Sequence, residues 1–451
     1  MTVLKTDQIR PNARKAAYLG LLDIFEKEAY ANLTVLRMLR RYKFSPEDSR
    51  FFTELVYGVC RRYNLLLWIM EQSASRSTER MDVKVRLLLA LGLYQLLFLD
   101  SVPDSAAVNE TVRIAKSVTH AGNVRFVNAV LRGYLRKKKE IQIPAETEDP
   151  ILHLSLFYNE PEWLVRRWGK NWGLEKTRQI LSAFNKIVKT DIRCNTLKTS
   201  CASLYERLQE AGAKPALIPY IPEGIEIGNG SAFFRGDFLK EGAAYVQNRS
   251  SMIPAQILAP RPGEKVLDMC SAPGSKTTQM AALMKNQGRI DAWDIHPHKI
   301  SLIQENCQRL GISIVHATVQ DSTQKVARAA EAYDRVLLDA PCSGLGVIGR
   351  KMEMRWRRNE EALSVFPPLQ KTLLARAADY VAPGGILVYS TCTLERAENE
   401  DNIQHFLALH PEFEPLPFSF DGRTVENGML TIWPDLYGSD GFFAAALRKR
   451  T

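Results

Sequence analysis

Cysteine is sparse in this chain: seven in 451 residues, at Cys60, Cys194, Cys201, Cys270, Cys307, Cys342 and Cys392. The number is odd, there is no CxxC pair, and no cysteine–histidine grouping has zinc spacing. That pattern argues against a disulfide framework and against a structural zinc, so no metal is expected. No run approaches the ~20 apolar residues of a membrane span. The opening Met1-Thr2-Val3-Leu4-Lys5 passes straight to polar residues instead of a signal-peptide core. The expectation is a cytoplasmic protein with no membrane partner. There is also no internal repeat, no low-complexity tract and no GxxxxGK[ST] spacing, which removes a Walker-type phosphate loop.

What is present is an ordinary globular composition, 45% hydrophobic and 24% charged. A chain of 451 residues exceeds what one core usually serves, so two or three domains are expected. The charge is uneven. Residues 1–140 hold 24 Lys and Arg against 14 Asp and Glu, whereas the remainder holds 36 of each. The whole net charge of +10 therefore sits at the N-terminus. Such asymmetry suits a segment that grips a polyanion through its phosphates, although a merely solvated basic face has the same signature.

From Asn12 to Lys139 apolar residues recur at intervals of three and four, as in Phe52-Leu55-Val56-Val59 and Val85-Leu87-Leu88-Leu91-Tyr94-Leu97. This predicts an all-helical domain over 1–140. The proline-bracketed, acidic Ile143 to Pro150 reads as a linker, 141–150. Residues 151–247 mix helical and strand patterns and predict a small α+β subdomain. From 248 to 451 short apolar strands alternate with helices: Lys265 to Met269, Arg289 to Asp294, Ser313 to His316, Arg335 to Asp339 and Gly385 to Ser390. That rhythm predicts an α/β, doubly wound parallel sheet of Rossmann type.

Two features of this sheet carry chemistry. After the first strand comes Cys270-Ser271-Ala272-Pro273-Gly274-Ser275-Lys276 and then a helix. A loop of small residues there lets backbone N–H groups approach an anionic ligand group. Cys270 is expected to pack the loop. Asp294, 24 positions beyond Cys270, ends the second strand and can accept from ribose hydroxyls; Asp321 follows the third and can approach an adenine. Together with Asp339 they predict a crevice for a nucleotide-like cofactor, here S-adenosylmethionine held by the carboxylate of its methionine moiety.

The second feature is a pair of cysteines. The fourth strand ends in Asp339-Ala340-Pro341-Cys342-Ser343 and the fifth in Ser390-Thr391-Cys392-Thr393. If those strands are neighbours, their ends lie ~5 Å apart and both thiols face one pocket. Cytosine C5 is a poor nucleophile. A thiolate that adds to C6 makes the ring enamine-like and able to take a methyl group at C5, after which loss of the C5 proton expels the thiolate. Asp339, protonated or sharing a proton with the base, would support charge at cytosine N3 during addition. The remaining Cys60, Cys194, Cys201 and Cys307 read as small buried hydrophobes.

On these motifs the chain resembles the Sun/Fmu (RsmB-type) family of ribosomal RNA cytosine-C5 methyltransferases over nearly its whole length. The resemblance implies that Cys392 is the nucleophile, that Cys342 serves product release, and that the product is 5-methylcytosine in 16S ribosomal RNA. Leu55-Val56-Tyr57-Gly58-Val59, Leu91 to Leu97, Ala106 to Glu110 and Phe126 to Arg132 are similar to a NusB-like RNA-binding fold. Arg193 to Lys198 resembles the opening strand of the family's small RNA-binding subdomain, and Asp440-Gly441-Phe442-Phe443 its last, antiparallel strand. The implied partner is ribosomal RNA, free or in an assembling small subunit, with the protein a monomer.

There are departures from the family pattern. Ser275 stands where glycine is usual, which would tighten the cofactor pocket. Arg249 falls in a segment usually acidic, and Asp435 stands where histidine is common. The basic run Arg350-Lys351 and Arg355-Trp356-Arg357-Arg358 is expected to hold RNA phosphate with Trp356 stacking on a base, against the alternative of a solvent-facing helix start. Two competing readings are a DNA cytosine methyltransferase, whose nucleophile would match Cys342, and a non-catalytic RNA-binding protein on the same scaffold; a tRNA target is a third.

Overall fold

The computed structural model describes residues 12–74, 77–186 and 189–451. The first residues, on which the reading of the N-terminus rests, lie outside that range. The chain divides into two compact units: one ends at Ser182 and also takes in Lys351–Asn359, and the other holds Ala183–Arg350 and Glu360–Thr451.

The first unit is helical: α1 Ala13–Phe25, α2 Ala31–Tyr42, α3 Pro46–Ser73, α4 Val83–Phe98, α5 Asp104–Val118, α6 Ala121–Lys137, α7 Pro150–Tyr158 and α8 Glu162–Trp172, with α9 Leu174–Phe184 at its end. Its helices start where side chains can cap them. Asn12 accepts from the Lys15 amide, Ser45 from the Asp48 amide ahead of Pro46, and Asp82 from the Lys84 amide. Helix α4 is apolar on every side, with eleven consecutive-turn residues from Val85 to Leu96 buried, so it forms the centre of the bundle. The stretch after residue 150 joins this unit because Asn64 of α3 donates to Ser155 Oγ at 2.8 Å and to the Glu160 carbonyl at 3.1 Å.

The second unit contains two sheets. The small one is antiparallel in the order β2-β3-β1-β4, from β1 Thr190–Cys194, β2 Pro215–Leu217, β3 Gly224–Ile227 and β4 Ala244–Val246. It packs Ile192, Ile225 and Ile227 against Leu204 and Leu208 of α10 Cys201–Glu210 and Phe233 of α11 Gly230–Arg235. Helix α12 Arg249–Leu258 leads to the large sheet, made of β5 Lys265–Asp268, β6 Arg289–Asp294, β7 Val315–Val319, β8 Tyr333–Asp339, β9 Val381–Thr391, β10 Phe413–Pro415, β13 Met429–Ile432 and β14 Phe442–Lys449. A separate hairpin is formed by β11 Phe418–Phe420 and β12 Arg423–Val425. The order is β10-β14-β9-β8-β5-β6-β7, with β13 also on β14.

Strands β5 to β9 are parallel, and β14 is antiparallel to β9, as expected for the closing strand. The chain leaves β5 toward β6 on one side and returns as β8 on the other. Ligands of open α/β sheets bind at such a reversal, beyond the carboxyl ends of the strands. Helices α13 Ser275–Leu283, α14 Pro297–Leu310, α15 Met354–Arg357, α16 Phe366–Tyr380, α17 Glu400–Leu409 and α18 Pro434–Tyr437 complete the chain. Of these, α15 lies in the segment assigned to the helical unit.

Candidate active site

The carboxyl ends of β5, β6, β8 and β9 bring Asp268, Asp294, Asp339 and Thr391 to one edge. The pairing of β8 with β9 puts Asp339 opposite Ser390. Two residues further along the chain, Cys392 Sγ lies 3.4 Å from Cys342 Sγ, so adjacency of the strands delivers a thiol pair. The hydrogen bond to Cys392, followed by burial, pushes the Cys342 thiol well up. The two sulfurs share this one hydrogen bond, and either can be its donor.

Both carboxylate oxygens of Asp339 are engaged. Lys276 Nζ donates to Oδ2 at 2.7 Å, and Ser390 Oγ donates to Oδ1 at 2.7 Å. Lys276 also donates to Ser251 Oγ at 3.0 Å and lies 5.3 Å from the centre of the Phe442 ring. The ammonium expected among the cofactor-loop groups is thus turned to Asp339, 63 positions on.

Behind the cysteines sits a layer that sequence reasoning missed. Glu398 Oε2 accepts from the Ser343 amide and from Gln370 Nε2, both at 2.9 Å; Gln370 also donates to the Pro341 carbonyl at 2.9 Å. Ser343 Oγ and Thr393 Oγ1 are 2.8 Å apart, tying the two loops together. The acidic run Glu395, Glu398 and Glu400 just after Cys392 was the available signal. The loops also cross closely at Gly346, whose amide donates to the Cys392 carbonyl at 3.0 Å. A Cβ there would stand 2.0 Å from the Gly441 carbonyl oxygen, so only glycine allows this approach.

On the other side of β5 the loop Cys270 to Lys276 wraps the start of α13. Gly274 has φ +94° and caps α13, and a Cβ at this position would press on Ile303 at 3.3 Å. Ser275, the departure from the usual glycine, is the first helical residue and needs no unusual backbone. Burial pushes the Cys270 thiol up, in keeping with packing. Asp294 accepts from the Ala272 amide at 3.3 Å and the His296 amide at 3.0 Å, and Asp321 accepts from both groups of Thr323. Asp268, 1% exposed, accepts from Thr277 Oγ1 at 2.7 Å, while its Oδ1 is buried without a hydrogen bond; burial pushes its carboxyl up to about 7. A small-residue turn ringed by carboxylates at successive strand ends fits a cofactor rich in hydroxyl and ammonium donors.

Arg249 answers its departure with a local partner. Its Nη2 donates to Asp191 Oδ1 at 2.7 Å and to Glu226 Oε2 at 2.6 Å, so it braces the small sheet. Asp435 lies in the first turn of α18.

The basic run after Cys342 corrects an expectation. Arg355 is 3% exposed and donates to Glu160 Oε1 at 2.6 Å. Trp356 packs edge-on to Tyr63, centroids 5.5 Å apart, and its indole nitrogen is buried. Arg357 donates to the Ala29 carbonyl at 2.7 Å and covers Tyr30, while Arg350 donates to Asp440 Oδ1 at 3.1 Å. Arg355, Trp356 and Arg357 are thus engaged in internal contacts, while Lys351 of the same run stays exposed. Among the described residues, no grouping of His, Cys, Asp and Glu could hold a metal, and no helix is long and apolar enough to cross a membrane.

The doubly wound parallel sheet, its antiparallel closing strand and the small-residue loop after its first strand define a Rossmann-like methyltransferase. Comparison with known proteins narrows the class. Residues 255–448 match the family described as 16S rRNA methyltransferase RsmB/F, residues 11–136 the NusB family, and residues 160–233 the RsmF/B-like ferredoxin-like domain. A Synechocystis protein named "Probable ribosomal RNA small subunit methyltransferase B" is 39% identical over 97% of this chain and 99% of its own. A Bacillus subtilis protein of the same name is 34% identical over 98% and 99%. The crystal structure of PH0851 superposes with a TM-score of 0.83 at 29% identity, covering 97% of this chain and 99% of that one. The chain belongs to the RsmB/F family of 16S rRNA methyltransferases.

Proposed function

We propose that the chain methylates C5 of a cytosine in small-subunit ribosomal RNA, with Cys392 as nucleophile and S-adenosylmethionine as methyl donor. The observation that carries this reading is the thiol pair at 3.4 Å beside an Asp339 clamped by Lys276 and Ser390. A DNA-type enzyme needs one cysteine, at the position of Cys342. A binding protein needs neither.

The bound cofactor supplies an electrophilic methyl group; the chain's residues do the rest. Cys392 adds to C6 as thiolate, with the Cys342 S–H donating to it beforehand. Asp339, held in position by Lys276 and Ser390, supports the negative charge that develops at N3 by sharing a proton with the base there. Once Cys392 is a neutral thioether, Cys342 yields its own proton to solvent and, as a thiolate, takes the C5 proton; the electron pair of the broken C–H bond reforms the C5–C6 double bond and expels Cys392 as thiolate. Cys270 to Lys276, Asp294 and Asp321 would hold the cofactor, Asp294 through its ribose hydroxyls. Calorimetry on Asp294→Ala should show cofactor affinity at least tenfold weaker with the fold retained, roughly the worth of one or two charge-assisted hydrogen bonds. Unchanged affinity would remove Asp294 from the site.

The helical unit supplies the charge for RNA, and the small sheet adds a second contact surface. Arg132, Arg136, Lys137 and Lys139 are all exposed at the end of α6. Changing these four to glutamine should reduce the slope of log affinity against log salt by up to about 3, because each phosphate contact contributes ~0.7–0.9. An unaltered slope would show that this face is only solvated.

A further inference from the structure

Arg193 lies on β1 of the small sheet and is 2% exposed. Its Nη1 donates to the Ser275 carbonyl at 2.6 Å and to Gln247 Oε1, and its Nη2 donates to Thr278 Oγ1 at 2.9 Å. Ser275 and Thr278 form the first turn of α13, directly behind the candidate cofactor loop. Thr278 Oγ1 in turn donates to the Gly274 carbonyl, at 2.7 Å. The guanidinium therefore reaches the loop backbone through one residue. It is also stacked near Tyr245 of β4, 5.2 Å from the ring centre.

The same ring meets a second guanidinium. Arg309 of α14 lies 5.5 Å from the Tyr245 centroid, and its Nη1 donates to the carbonyls of Leu239 at 2.8 Å and Ala244 at 3.3 Å. Helix α14 follows Asp294. Nearby, Asn195 Nδ2 bridges the carbonyls of Gly242, at 2.8 Å, and Leu310, at 2.9 Å. The small sheet thus bonds to both α13, which precedes β6, and α14, which follows it, through the buried Arg193, the partly buried Arg309 and the neutral amide of Asn195. Both terminal nitrogens of Arg193 are engaged while its Nε is buried without a hydrogen bond, and burial pulls Arg193 down to about 10, which leaves it charged at neutral pH. Such a bond set fixes the small sheet and the cofactor loop in one geometry.

We propose that Arg193 is a positioning residue that couples RNA held on the small sheet to the cofactor loop, so that RNA and cofactor each tighten the binding of the other. The proposal rests on the RNA methyltransferase reading above. Linkage requires the effect to be reciprocal. Lysine cannot replace Arg193, because a single ammonium does not span the Ser275 carbonyl, Thr278 and Gln247 in a planar fork.

The test is calorimetry of the full chain with S-adenosylmethionine, with and without a small-subunit rRNA fragment, alongside RNA binding measured with and without cofactor. The unaltered chain should bind cofactor about 5- to 50-fold more tightly when RNA is present, within the usual range of coupling between sites. Arg193→Lys should reduce that factor to about 1–2 while RNA affinity without cofactor stays within about twofold. A purely structural role would weaken both ligands and leave the ratio unmoved. If Arg193→Lys fails to fold, Tyr245→Leu, which removes the ring beneath both guanidiniums, should lower the factor in the same direction. Coupling that persists in the variant, or is missing in the unaltered chain while RNA binds, overturns the proposal. No RNA binding by the unaltered chain would overturn the functional reading with it.

Discussion

Cys392→Ala should abolish methyl transfer and every covalent RNA adduct, while Cys342→Ala should trap the protein on RNA as a band retarded on a denaturing gel. The difference follows from the step each thiol serves. Without Cys392 no sulfur remains in position to add to C6, and the rate should fall by several orders of magnitude. Without Cys342 the addition and the methylation proceed, but the C5 proton has lost its base and the adduct persists. Alanine at Cys342 also removes the hydrogen-bond partner 3.4 Å from Cys392 Sγ, so a modest slowing of addition should accompany the trapping. The reverse pattern on the gel would assign the nucleophile to Cys342, as in a DNA-type enzyme. If both variants keep full activity, cysteine-based catalysis is wrong.

Arg355→Ala should destabilise the helical unit by about 3–5 kcal/mol, because it strands a carboxylate in the interior. Glu160 is fully buried, its Oε1 accepts from Arg355 at 2.6 Å, and its other oxygen has no hydrogen bond. The double change Arg355→Met with Glu160→Leu should recover most of that loss, since apolar side chains of similar volume replace a buried pair at little cost. Denaturant unfolding of the three proteins checks both statements. Equal stability of Arg355→Ala and the unaltered chain would return Arg355 to the RNA-facing role that its sequence context suggested.

That reversal shows where reading the sequence succeeded and where it stopped. Strand β6, Arg289–Asp294, is legible to the residue because it is bounded by Gly288 and by Pro297 at the start of α14. Strand β7 begins later than the expected Ser313, since Ile312 and Ile314 are buried at the turn and mimic strand alternation. Strand β9 runs from Val381 instead of Gly385: Pro383, Gly384 and Gly385 read as a break, but the pairing with β8 absorbs them in a register shift. The cysteine pair was legible because a parallel sheet makes the ends of neighbouring strands converge.

Long side chains and distant partners were not legible. Lys276 reaches past its own loop to Asp339. Arg355 finds Glu160, 195 positions earlier, where local sequence shows only a run of positive charge. Glu398 and Gln370 support the cysteine loops from elements that carry no motif of their own. For Lys276 and Arg355 the decisive partner lies far along the chain, so charge and spacing nearby could not reveal it; for Glu398 the acidic run after Cys392 was the one local signal.

The nucleoside that receives the methyl group identifies the reaction. Small-subunit rRNA from cells lacking the gene should be incubated with the purified chain and S-adenosylmethionine labelled in its methyl group, then digested to nucleosides and separated. Label is expected in 5-methylcytidine at a single site, and none when Cys392→Ala replaces the unaltered chain. Label in N4-methylcytidine or in another nucleoside, or undiminished 5-methylcytidine with Cys392→Ala, would contradict the proposed reaction.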